Sequence, residues 1–311
     1  RTTIIIIETM ELLVASSKEE VSSVLCNKIV TIAYHALYVL KQEKFTIALS
    51  GGSLPKFLSS LSKTFEARKI TDPQWNKWYI FLADERCVPI TDDDSNLKSI
   101  DIHFLNNNND SEKKNPAIPK EQIFGIDEAL VAKLVQKQQQ QEKGDEINAT
   151  ADAIAVRYEE EMKKVLVGSG LLDLAVLGFG PDGHTCSLFP GRQHDMRRRW
   201  VFSITDSPKP PPIRITVSLS FLNEKTRHVI VCGAGTSKYP VMKHVFEDIT
   251  KMESKLVCEV DNDNDDDFET KKTYHPTMVS PPPYPCSMVV PKESLTWIVD
   301  NDAMIGNKEK E

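Results

Sequence analysis

The chain has 311 residues, 40% of them apolar, and a formal net charge of −7 at pH 7. This length allows one large domain or two small ones, and the acidic balance argues against nucleic-acid binding, which needs a clustered basic face. No apolar run reaches the ~18–20 residues that a membrane-spanning helix requires. The six cysteines form no Cys-x-x-Cys pair, so we expect buried thiols in a reducing compartment.

The chain opens with alternating strand and helix patterns. Residues 9–14 predict a strand, and the apolar spacing over residues 18–41 predicts a helix whose capping box is formed by Ser17 and Glu20. Further apolar segments predict strands at residues 45–49, 78–83, 172–178, 227–232 and 295–299. Continuous apolar strands that alternate with helices indicate the α/β class, with a mostly parallel sheet and helices on both of its faces.

Glycine-rich or charged segments follow four of these strands. They are Ser50–Ser53, Asp84–Arg86, Phe179–His184 and Gly233–Lys238. Ligands of open α/β sheets bind outside the carboxyl ends of the strands. We therefore expect the four segments to meet at one edge of the sheet and to form the functional site.

Polar stretches near residues 106–116, 136–146 and 261–285 interrupt the pattern. The first is rich in Asn, the second in Gln, and the third in Asp and Asn before it becomes Pro-rich. Such compositions bury little apolar surface, so we expect surface loops without regular structure, with an extended backbone at Ser280–Pro285. We predict a single domain over residues 1–311 that carries these three inserts.

The first strand-end segment has the features of an anion site. Gly51 and Gly52 let the backbone approach a ligand closely, and a helix that begins after Ser53 would present free N–H groups to a phosphate. Lys238, in the comparable segment after residues 227–232, would add a point charge for the same phosphate. The alternatives are an ordinary tight turn and a solvated lysine, and the segment matches neither the Walker motif nor the dinucleotide fingerprint.

Two acidic residues, Asp84 and Glu85, follow a buried strand and need either a partner or a function. Arg86 could neutralise them, contact phosphate or stabilise an oxyanion, and an internal salt-bridge network is the structural alternative. We count Asp84 and Arg86, together with Asn96 further along the chain, as candidate site residues.

His184 is the candidate general base. The glycines around Asp182 predict a sharp turn that holds His184 at the ligand edge, near the start of a helix, with a pKa close to working pH. Asp182 can orient the imidazole or tune its basicity, as the carboxylate does in a catalytic triad. Cys186 and Ser187 are expected on the helix beyond the turn, so no nucleophile is implied and His184 would activate water directly.

A proline-rich loop at residues 206–212 precedes a further strand. Proline leaves Ser207 and Lys209 little conformational entropy to lose, so both are candidate substrate contacts, and a stiff connector is the alternative. The remaining histidines share no spacing. We interpret His228 and His244 as structural and predict no metal site.

Four motifs whose residues could bind a ligand or carry out catalysis follow one another along the chain. They are Ser50-Gly51-Gly52-Ser53, Asp84-Glu85-Arg86 with Asp94-Ser95-Asn96, Gly180-Pro181-Asp182-Gly183-His184-Thr185, and Ser207-Pro208-Lys209-Pro210-Pro211. Together they resemble the glucosamine-6-phosphate isomerase/6-phosphogluconolactonase family, and within it the 6-phosphogluconolactonases of eukaryotic type, over roughly residues 9–304 of this chain. The segment Gly191–Arg199 departs from the usual pattern because it is shorter and more basic, and the polar inserts are extra.

The resemblance implies a modified Rossmann-like fold and hydrolysis of 6-phosphogluconolactone in the cytoplasm, as part of the pentose phosphate pathway and without a cofactor. It also implies that His184 activates water, and that the glycine turn, Arg86 and Lys238 surround the substrate. We expect a small-molecule sugar-phosphate lactone as ligand, and no nucleic acid, membrane or obligate protein partner. The sequence begins at Arg1 rather than Met, which leaves an upstream targeting segment open.

Two alternative functions stay open on the sequence. A glucosamine-6-phosphate deaminase of related fold would carry an Asn-Glu-Pro-like segment after the histidine, where this chain has Thr185–Pro190. A non-catalytic sugar-phosphate-binding protein would be expected to lack His184 or Arg86, and both residues are present.

Overall fold

The computed structural model describes residues 9–105, 116–168, 170–192, 199–247, 255–257 and 271–306. Nearly all of the predicted insert at 106–116, part of the segment 191–199 and residues 261–270 of the third insert lie outside the described residues.

The described residues contain two sheets. Their strands are β1 (Thr9–Ala15), β2 (Phe45–Leu49), β3 (Trp78–Leu82), β4 (Asp84–Arg86), β5 (Leu172–Gly178), β6 (Val201–Ile204), β7 (Arg214–Val217), β8 (Thr226–Gly233), β9 (Lys255–Val257), β10 (Lys271–Tyr274) and β11 (Ser294–Asp300). The large sheet has the order β3-β2-β5-β8-β11-β1-β10-β9, and the small sheet has the order β4-β7-β6. In the large sheet all neighbours from β3 to β1 are parallel, and β10 and β9 add antiparallel pairs at its edge. The small sheet is antiparallel. The predicted α/β class with a mostly parallel sheet is confirmed.

The helices connect and cover these strands. They are α1 (Lys18–Tyr34), α2 (Leu54–Phe57), α3 (Leu61–Ala67), α4 (Asn96–Ile100), α5 (Glu128–Gln139), α6 (Gly144–Val165), α7 (Leu219–Glu224), α8 (Tyr239–Val245) and α9 (Asn301–Ile305). Helix α1 contacts β1 and β11 of the large sheet, whereas α6 contacts β6 and β7 of the small one. In the part of the chain that the structure describes, no helix combines the length and apolar character needed to cross a bilayer.

The amphipathic pattern of the first helix explains how it forms and packs. The Ser17 hydroxyl accepts a hydrogen bond from the Glu20 N–H at 3.3 Å, as the capping pattern predicts. The apolar positions Val21, Leu25 and Ile29 are completely buried. These side chains recur at helical spacing, so one face of α1 is removed from water, which stabilises the helix mainly through burial.

Strand register sets where the functional segments lie. The last residues of neighbouring parallel strands are paired, with Leu49 opposite Leu82, and Gly178 opposite Cys232. The carboxyl ends of β3, β2, β5 and β8 therefore stand at one edge of the large sheet. The polar segments that follow these strands leave the sheet side by side.

The Gln-rich stretch at 136–146 is not the irregular loop that its composition predicts. Helix α5 runs through it to Gln139, and α6 begins at Gly144. The Asp127 carboxylate caps α5 by accepting from two backbone N–H groups, and Lys137 forms ion pairs across the turn with Glu142 and Glu146. Glutamine is a good helix former, so local propensity and capping outweigh the absence of a wide apolar face.

The helix predicted after His184 is also wrong. Residues 185–188 form a turn in which Thr185 bridges to both Phe179 and Leu188. Cys186 in this turn has a φ of 50°, which lies in the left-handed region and is incompatible with a right-handed helix. Ser187 is fully buried and its hydroxyl donates to Asp84, so it is not available as a nucleophile.

Candidate active site

A cleft of about 220 Å³ opens at the carboxyl edge of the large sheet. Its walls are formed by Ser50, Gly51, Gly52, Ser53, Asp84, Arg86, Asn96, Gly178, Phe179, Gly180, Pro181, His184, Cys186, Arg214, Cys232, Gly233 and Lys238. All four strand-end segments contribute to this lining. The structure therefore brings them together at one rim, as the strand pattern predicts.

The central pair of the cleft is His184 with Asp182. The imidazole Nδ1 lies 2.5 Å from a carboxylate oxygen of Asp182 and 3.1 Å from Nζ of Lys209. An ionised carboxylate only accepts hydrogen bonds, so the shorter contact requires a proton on Nδ1 of His184. The Lys209 ammonium then donates to Asp182, whose second oxygen is 3.3 Å away. This arrangement leaves Nε2 as the unprotonated nitrogen of the ring.

The charge states of the pair follow from burial and from Lys209. Burial lowers the pKa of His184 below its ordinary value, the Asp182 carboxylate opposes this effect, and the Lys209 ammonium adds to it. For Asp182, burial alone would raise the pKa, but the His184 hydrogen bond and the Lys209 charge outweigh it and lower the pKa to about 2. At neutral pH the site therefore holds a neutral imidazole beside an ionised carboxylate.

Two glycines make the turn that carries His184. The Gly183 N–H donates to the Gly180 carbonyl at 3.0 Å, and the Gly180 N–H donates to the His184 carbonyl at 2.8 Å. Gly183 has a φ of 80°, which favours glycine. A side chain on Gly180 is excluded as well, because its Cβ would lie 2.1 Å from the His184 ring. Glycine at these two positions therefore permits the tight turn that places the imidazole at the cleft.

The first glycine turn faces a buried amide. A Cβ on Gly51 would lie 1.8 Å from Oδ1 of Asn96, so only glycine allows this approach. Asn96 is held by a hydrogen bond of 2.8 Å from its Nδ2 to the main-chain oxygen of Asp84. The helix after the turn, α2, has a single turn, so its dipole contributes less than the sequence predicts. Backbone of Gly51 and Gly52 remains in the cleft wall.

Asp84 and Glu85, the two acidic residues after β3, make different contacts. Asp84 is buried and accepts from the Ser187 hydroxyl at 2.8 Å. Glu85 accepts from the N–H groups of Asn96 and Leu97, and burial, which outweighs these donors, raises its pKa to about 7. These contacts place Asp84 at the cleft and turn Glu85 toward the start of α4.

The Arg86 side chain does not neutralise Asp84 and Glu85, which is one of the roles that the sequence suggests for it. Its guanidinium Nη1 donates to the main-chain oxygen of Asp94 at 2.6 Å, while the buried Nε makes no hydrogen bond within the described residues. The side chain lines the cleft. A cation held this way retains donor capacity for an anionic ligand.

Lys238 also lines the cleft. Its Nζ donates to the Phe179 carbonyl at 2.6 Å and stands 5.2 Å from the centre of the Phe179 ring. Burial, and then the nearby charge of Lys209, lower the pKa of Lys238. A partly desolvated ammonium of this kind gains from an anionic partner.

The proline-rich loop approaches the site from the side. Ser207 braces the loop, because its hydroxyl donates to the Lys209 carbonyl at 2.8 Å and accepts from the Lys209 N–H at 3.2 Å. Among the described residues that line the cleft, neither Ser207, Lys209 nor Asp182 appears. Lys209 and Asp182 reach the site through His184, and the hydrogen bonds that Ser207 makes among the described residues stay within the loop.

Sequence reasoning missed Arg214, which is only 4% exposed and lines the cleft. Its guanidinium donates to the carbonyls of Lys209, Pro210 and Pro211 at 2.9–3.0 Å, and lies 3.4 Å from the Ser187 hydroxyl. Arg214 therefore clamps the loop that carries Lys209. The available signal was a single arginine directly after the proline-rich loop, at the start of an apolar strand.

The cleft also contains cysteines, which are unsuited to nucleophilic attack. Burial raises the pKa of Cys186 and of Cys232, so both thiols stay protonated near neutral pH. The five described cysteines are free and buried, as predicted. Across the described residues, no group of three or more His, Cys, Asp or Glu side chains is arranged to hold a metal ion.

Comparison with known sequences identifies relatives. The sequence model of the family described as glucosamine-6-phosphate isomerases/6-phosphogluconolactonase matches residues 16–264. "Probable 6-phosphogluconolactonase 5" of Arabidopsis thaliana is 31% identical over 266 residues, which cover 81% of this chain and 94% of that protein. "6-phosphogluconolactonase 3, chloroplastic" of the same plant is 38% identical over 210 residues, which cover 62% of this chain and 54% of the relative.

Comparison with solved structures gives the same fold. A 6-phosphogluconolactonase from Trypanosoma cruzi superimposes with a TM-score of 0.66 and 25% identity, over 95% of this chain and 96% of that one. The 6-phosphogluconolactonase from Thermotoga maritima has a TM-score of 0.63 and 20% identity, over 94% of this chain and all of that one.

Proposed function

Because the chain belongs to the glucosamine-6-phosphate isomerase/6-phosphogluconolactonase family, we propose that it hydrolyses 6-phosphogluconolactone to 6-phosphogluconate in the pentose phosphate pathway. The observation that supports this most directly is the His184–Asp182 pair in a cleft surrounded by cations. The pair is suited to activating water, and the cations are suited to a phosphorylated ester of a sugar acid.

The proposed chemistry is attack of water on the lactone carbonyl carbon. Nε2 of His184 takes a proton from the water, and Asp182 stabilises the imidazolium that forms by accepting from Nδ1. The proton then passes to the ring oxygen of the lactone as the carbon–oxygen bond breaks. A positioned general base contributes about 10²- to 10⁴-fold to a rate.

The oxyanion and the phosphate need separate partners. Lys238 lines the cleft together with His184, whereas Lys209 stands 3.1 Å from Nδ1 and outside the cleft lining, so we assign the oxyanion that develops on the lactone carbonyl to Lys238. Arg86 and the Gly51–Gly52 turn line the same cleft, and we assign the phosphate to that turn and Arg86. Binding energy from the phosphate then serves to orient the carbonyl beside His184.

We also infer that the chain acts as one catalytic domain on a small molecule, without an obligate protein partner. Buried residues from α1, both sheets and α8 form one continuous core, which supports the single domain. We propose the cytoplasm as the site of action. Because some relatives are named as chloroplastic, microscopy of the tagged full-length protein is the test of this assignment.

The substrate is tested with two assays on the purified chain. Freshly prepared 6-phosphogluconolactone is followed by a coupled assay of 6-phosphogluconate, and glucosamine-6-phosphate is followed by ammonia release, because the family includes isomerases of that sugar. We expect lactone hydrolysis well above the buffer rate and no ammonia. Ammonia release, or a lactone rate equal to that of buffer, would refute the proposal, and the second result would indicate a binding protein.

A further inference from the structure

Tyr284 touches the turn that carries His184 and is not among the residues that line the cleft. A Cβ placed on Gly183 would lie 2.3 Å from Cγ of Tyr284, so the tyrosine ring packs directly on the glycine backbone. Two residues further on, the Cys286 N–H donates to the Gly183 carbonyl at 3.1 Å. The Pro-rich segment therefore holds the turn through a ring contact and a main-chain hydrogen bond.

The same tyrosine is attached to a second element of the site. Its hydroxyl lies 3.0 Å from Nδ1 of His244 on α8. Helix α8 begins at Tyr239, immediately after Lys238, whose ammonium lines the cleft. Tyr284 thus connects the turn of His184 to the helix that follows Lys238.

The tyrosine itself is fixed by its own segment. The Ser287 hydroxyl accepts from the Tyr284 N–H at 3.1 Å and donates to the Tyr284 carbonyl at 2.8 Å. Ser287 is 3% exposed. The ring is therefore anchored at its backbone by Ser287 and at its hydroxyl by His244, and it contacts Gly183 between these two points.

We propose that Tyr284 is a positioning residue that fixes the His184 turn relative to α8 and to the Lys209 loop. This inference rests on the function proposed above for His184. The turn carries Asp182 and His184 together, whereas Lys209 stands on another loop and Asp84 on the small sheet. A shift of the turn therefore leaves the Asp182 contact intact and changes the distances from His184 to Lys209 and Asp84.

The distinguishing readout is the protonation of His184. Lys209 lowers the pKa of His184, while Asp182 and Asp84 raise it. If the turn moves away from Lys209, the pKa of His184 rises toward its ordinary value. Activity requires the neutral imidazole, so the loss of activity at low pH then begins at a higher pH. If Tyr284 had a purely structural role, its replacement would lower thermal stability without changing the pH at which activity is lost.

The experiment compares Tyr284→Ala with wild type by kcat, by KM and by a histidine NMR titration, which needs no substrate. We expect kcat to fall roughly 10- to 100-fold, since a displacement of about 1 Å has such an effect. KM should change less than about twofold, because the groups assigned to phosphate are untouched. The pKa of His184 should rise.

A double-mutant cycle covers the case in which Tyr284→Ala fails to fold. Tyr284→Phe and His244→Ala each remove the hydroxyl contact but keep the ring on Gly183, so we expect equal and smaller losses of kcat. The double variant should lose no more than either single variant, because both remove one interaction. Lys243→Ala, at the exposed neighbour of His244, is the control and should match wild type.

An unchanged kcat and an unchanged His184 titration in folded Tyr284→Ala would overturn the inference. So would strictly additive effects of Tyr284→Phe and His244→Ala. An inactive wild type would instead refute the proposed function, and the titration would still decide the positioning role. The two failures are therefore distinguishable.

Discussion

His184 and His228 are similarly exposed, at 20% and 22% of their side chains, and each lies beside a carboxylate. Burial lowers the pKa of both imidazoles. They differ in what the ring nitrogens contact. His228 uses both, with Nδ1 at 2.8 Å from the Ser294 hydroxyl and Nε2 at 3.3 Å from Glu293. His184 uses Nδ1 to donate to Asp182, with the Lys209 ammonium beside the pair, and its ring lines the cleft.

The position of each histidine on the sheet explains this difference. His228 lies within β8, opposite Ser294 at the start of β11, and so stands near the amino ends of the strands. His184 follows β5 at the carboxyl edge, in a turn that glycines keep open. A lowered pKa and a nearby carboxylate are thus shared by a structural and a candidate catalytic histidine. A ring nitrogen left unprotonated at a cleft is the feature that separates them.

Replacement of the two histidines should give the largest contrast. We expect His184→Ala to lower kcat by about 10²- to 10⁴-fold, because it removes the base. His228→Ala should leave kcat within about twofold and lower the free energy of unfolding by roughly 0.5–1.5 kcal/mol, because its partly exposed partners Ser294 and Glu293 lose their contacts with it. Steady-state kinetics and urea unfolding measure both effects. If His184→Ala and His228→Ala lost equal amounts of kcat, the distinction between a catalytic and a structural histidine would be wrong.

The two carboxylates form the second contrast. Asp182→Asn should lower kcat by about 100-fold, because an amide no longer fixes the proton on Nδ1 or stabilises the imidazolium. The loss should be smaller than that of His184→Ala, since the ring remains. Glu293→Gln, at the other edge, should keep wild-type kcat. Kinetics at saturating lactone test this pair, and a fully active Asp182→Asn would remove the carboxylate from the mechanism.

Two arginines that hold the proline-rich loop offer a third contrast. Arg214→Gln should lower the free energy of unfolding by about 2–4 kcal/mol and kcat by roughly tenfold, because a buried cation leaves three carbonyls unpaired and frees Lys209. Arg192, which contacts Asp206 at the surface, serves as the control. Arg192→Gln should cost less than about 1 kcal/mol and leave kcat unchanged. If Arg192→Gln lost as much unfolding free energy and as much kcat as Arg214→Gln, the role of Arg214 as a clamp on the Lys209 loop would be contradicted.

The smallest effect is expected on the pH profile of Lys209→Met. The Lys209 charge lowers the pKa of His184, so its removal raises that pKa. Activity depends on the neutral imidazole, which is present above the pKa and lost as the pH falls through it. The loss should therefore begin at a higher pH in Lys209→Met than in wild type. The measurement is kcat/KM as a function of pH. If the loss of activity began at a lower pH in Lys209→Met than in wild type, the effect assigned to the Lys209 charge would be contradicted.

The sequence predicts the large sheet well because its central strands are buried on both faces. Such strands read as continuous apolar runs, as Phe45–Leu49 and Leu172–Gly178 show. The small sheet escaped prediction because β4 and β6 are short and only partly apolar. The pairing of β4 with β7 is set by contacts distant in the chain, which local patterns do not contain.

The site was predictable where a motif forces a backbone shape. A side chain at Gly51, Gly180 or Gly183 would clash with neighbouring residues, so the positions of these glycines in the sequence indicate the shape of the backbone. Arg214 holds carbonyls three to five residues before it, and Tyr284 contacts the distant Gly183, but neither residue lies in a motif that indicates its role. A composition-based interpretation of the Pro-rich segment as an extra loop therefore misses Tyr284 on Gly183. The described part of that segment is a support for the turn.

Nitrogen-15 NMR of the histidines tests the central claim most directly, because it reports which ring nitrogen carries the proton. Spectra of His184→Ala and His228→Ala assign the two resonances of interest. Our account predicts that at neutral pH the His184 proton is on Nδ1 and Nε2 is unprotonated, with Nε2 gaining its proton only below the ordinary histidine range. A His184 ring that carries its proton on Nε2 at neutral pH, with Nδ1 bare, would contradict the account.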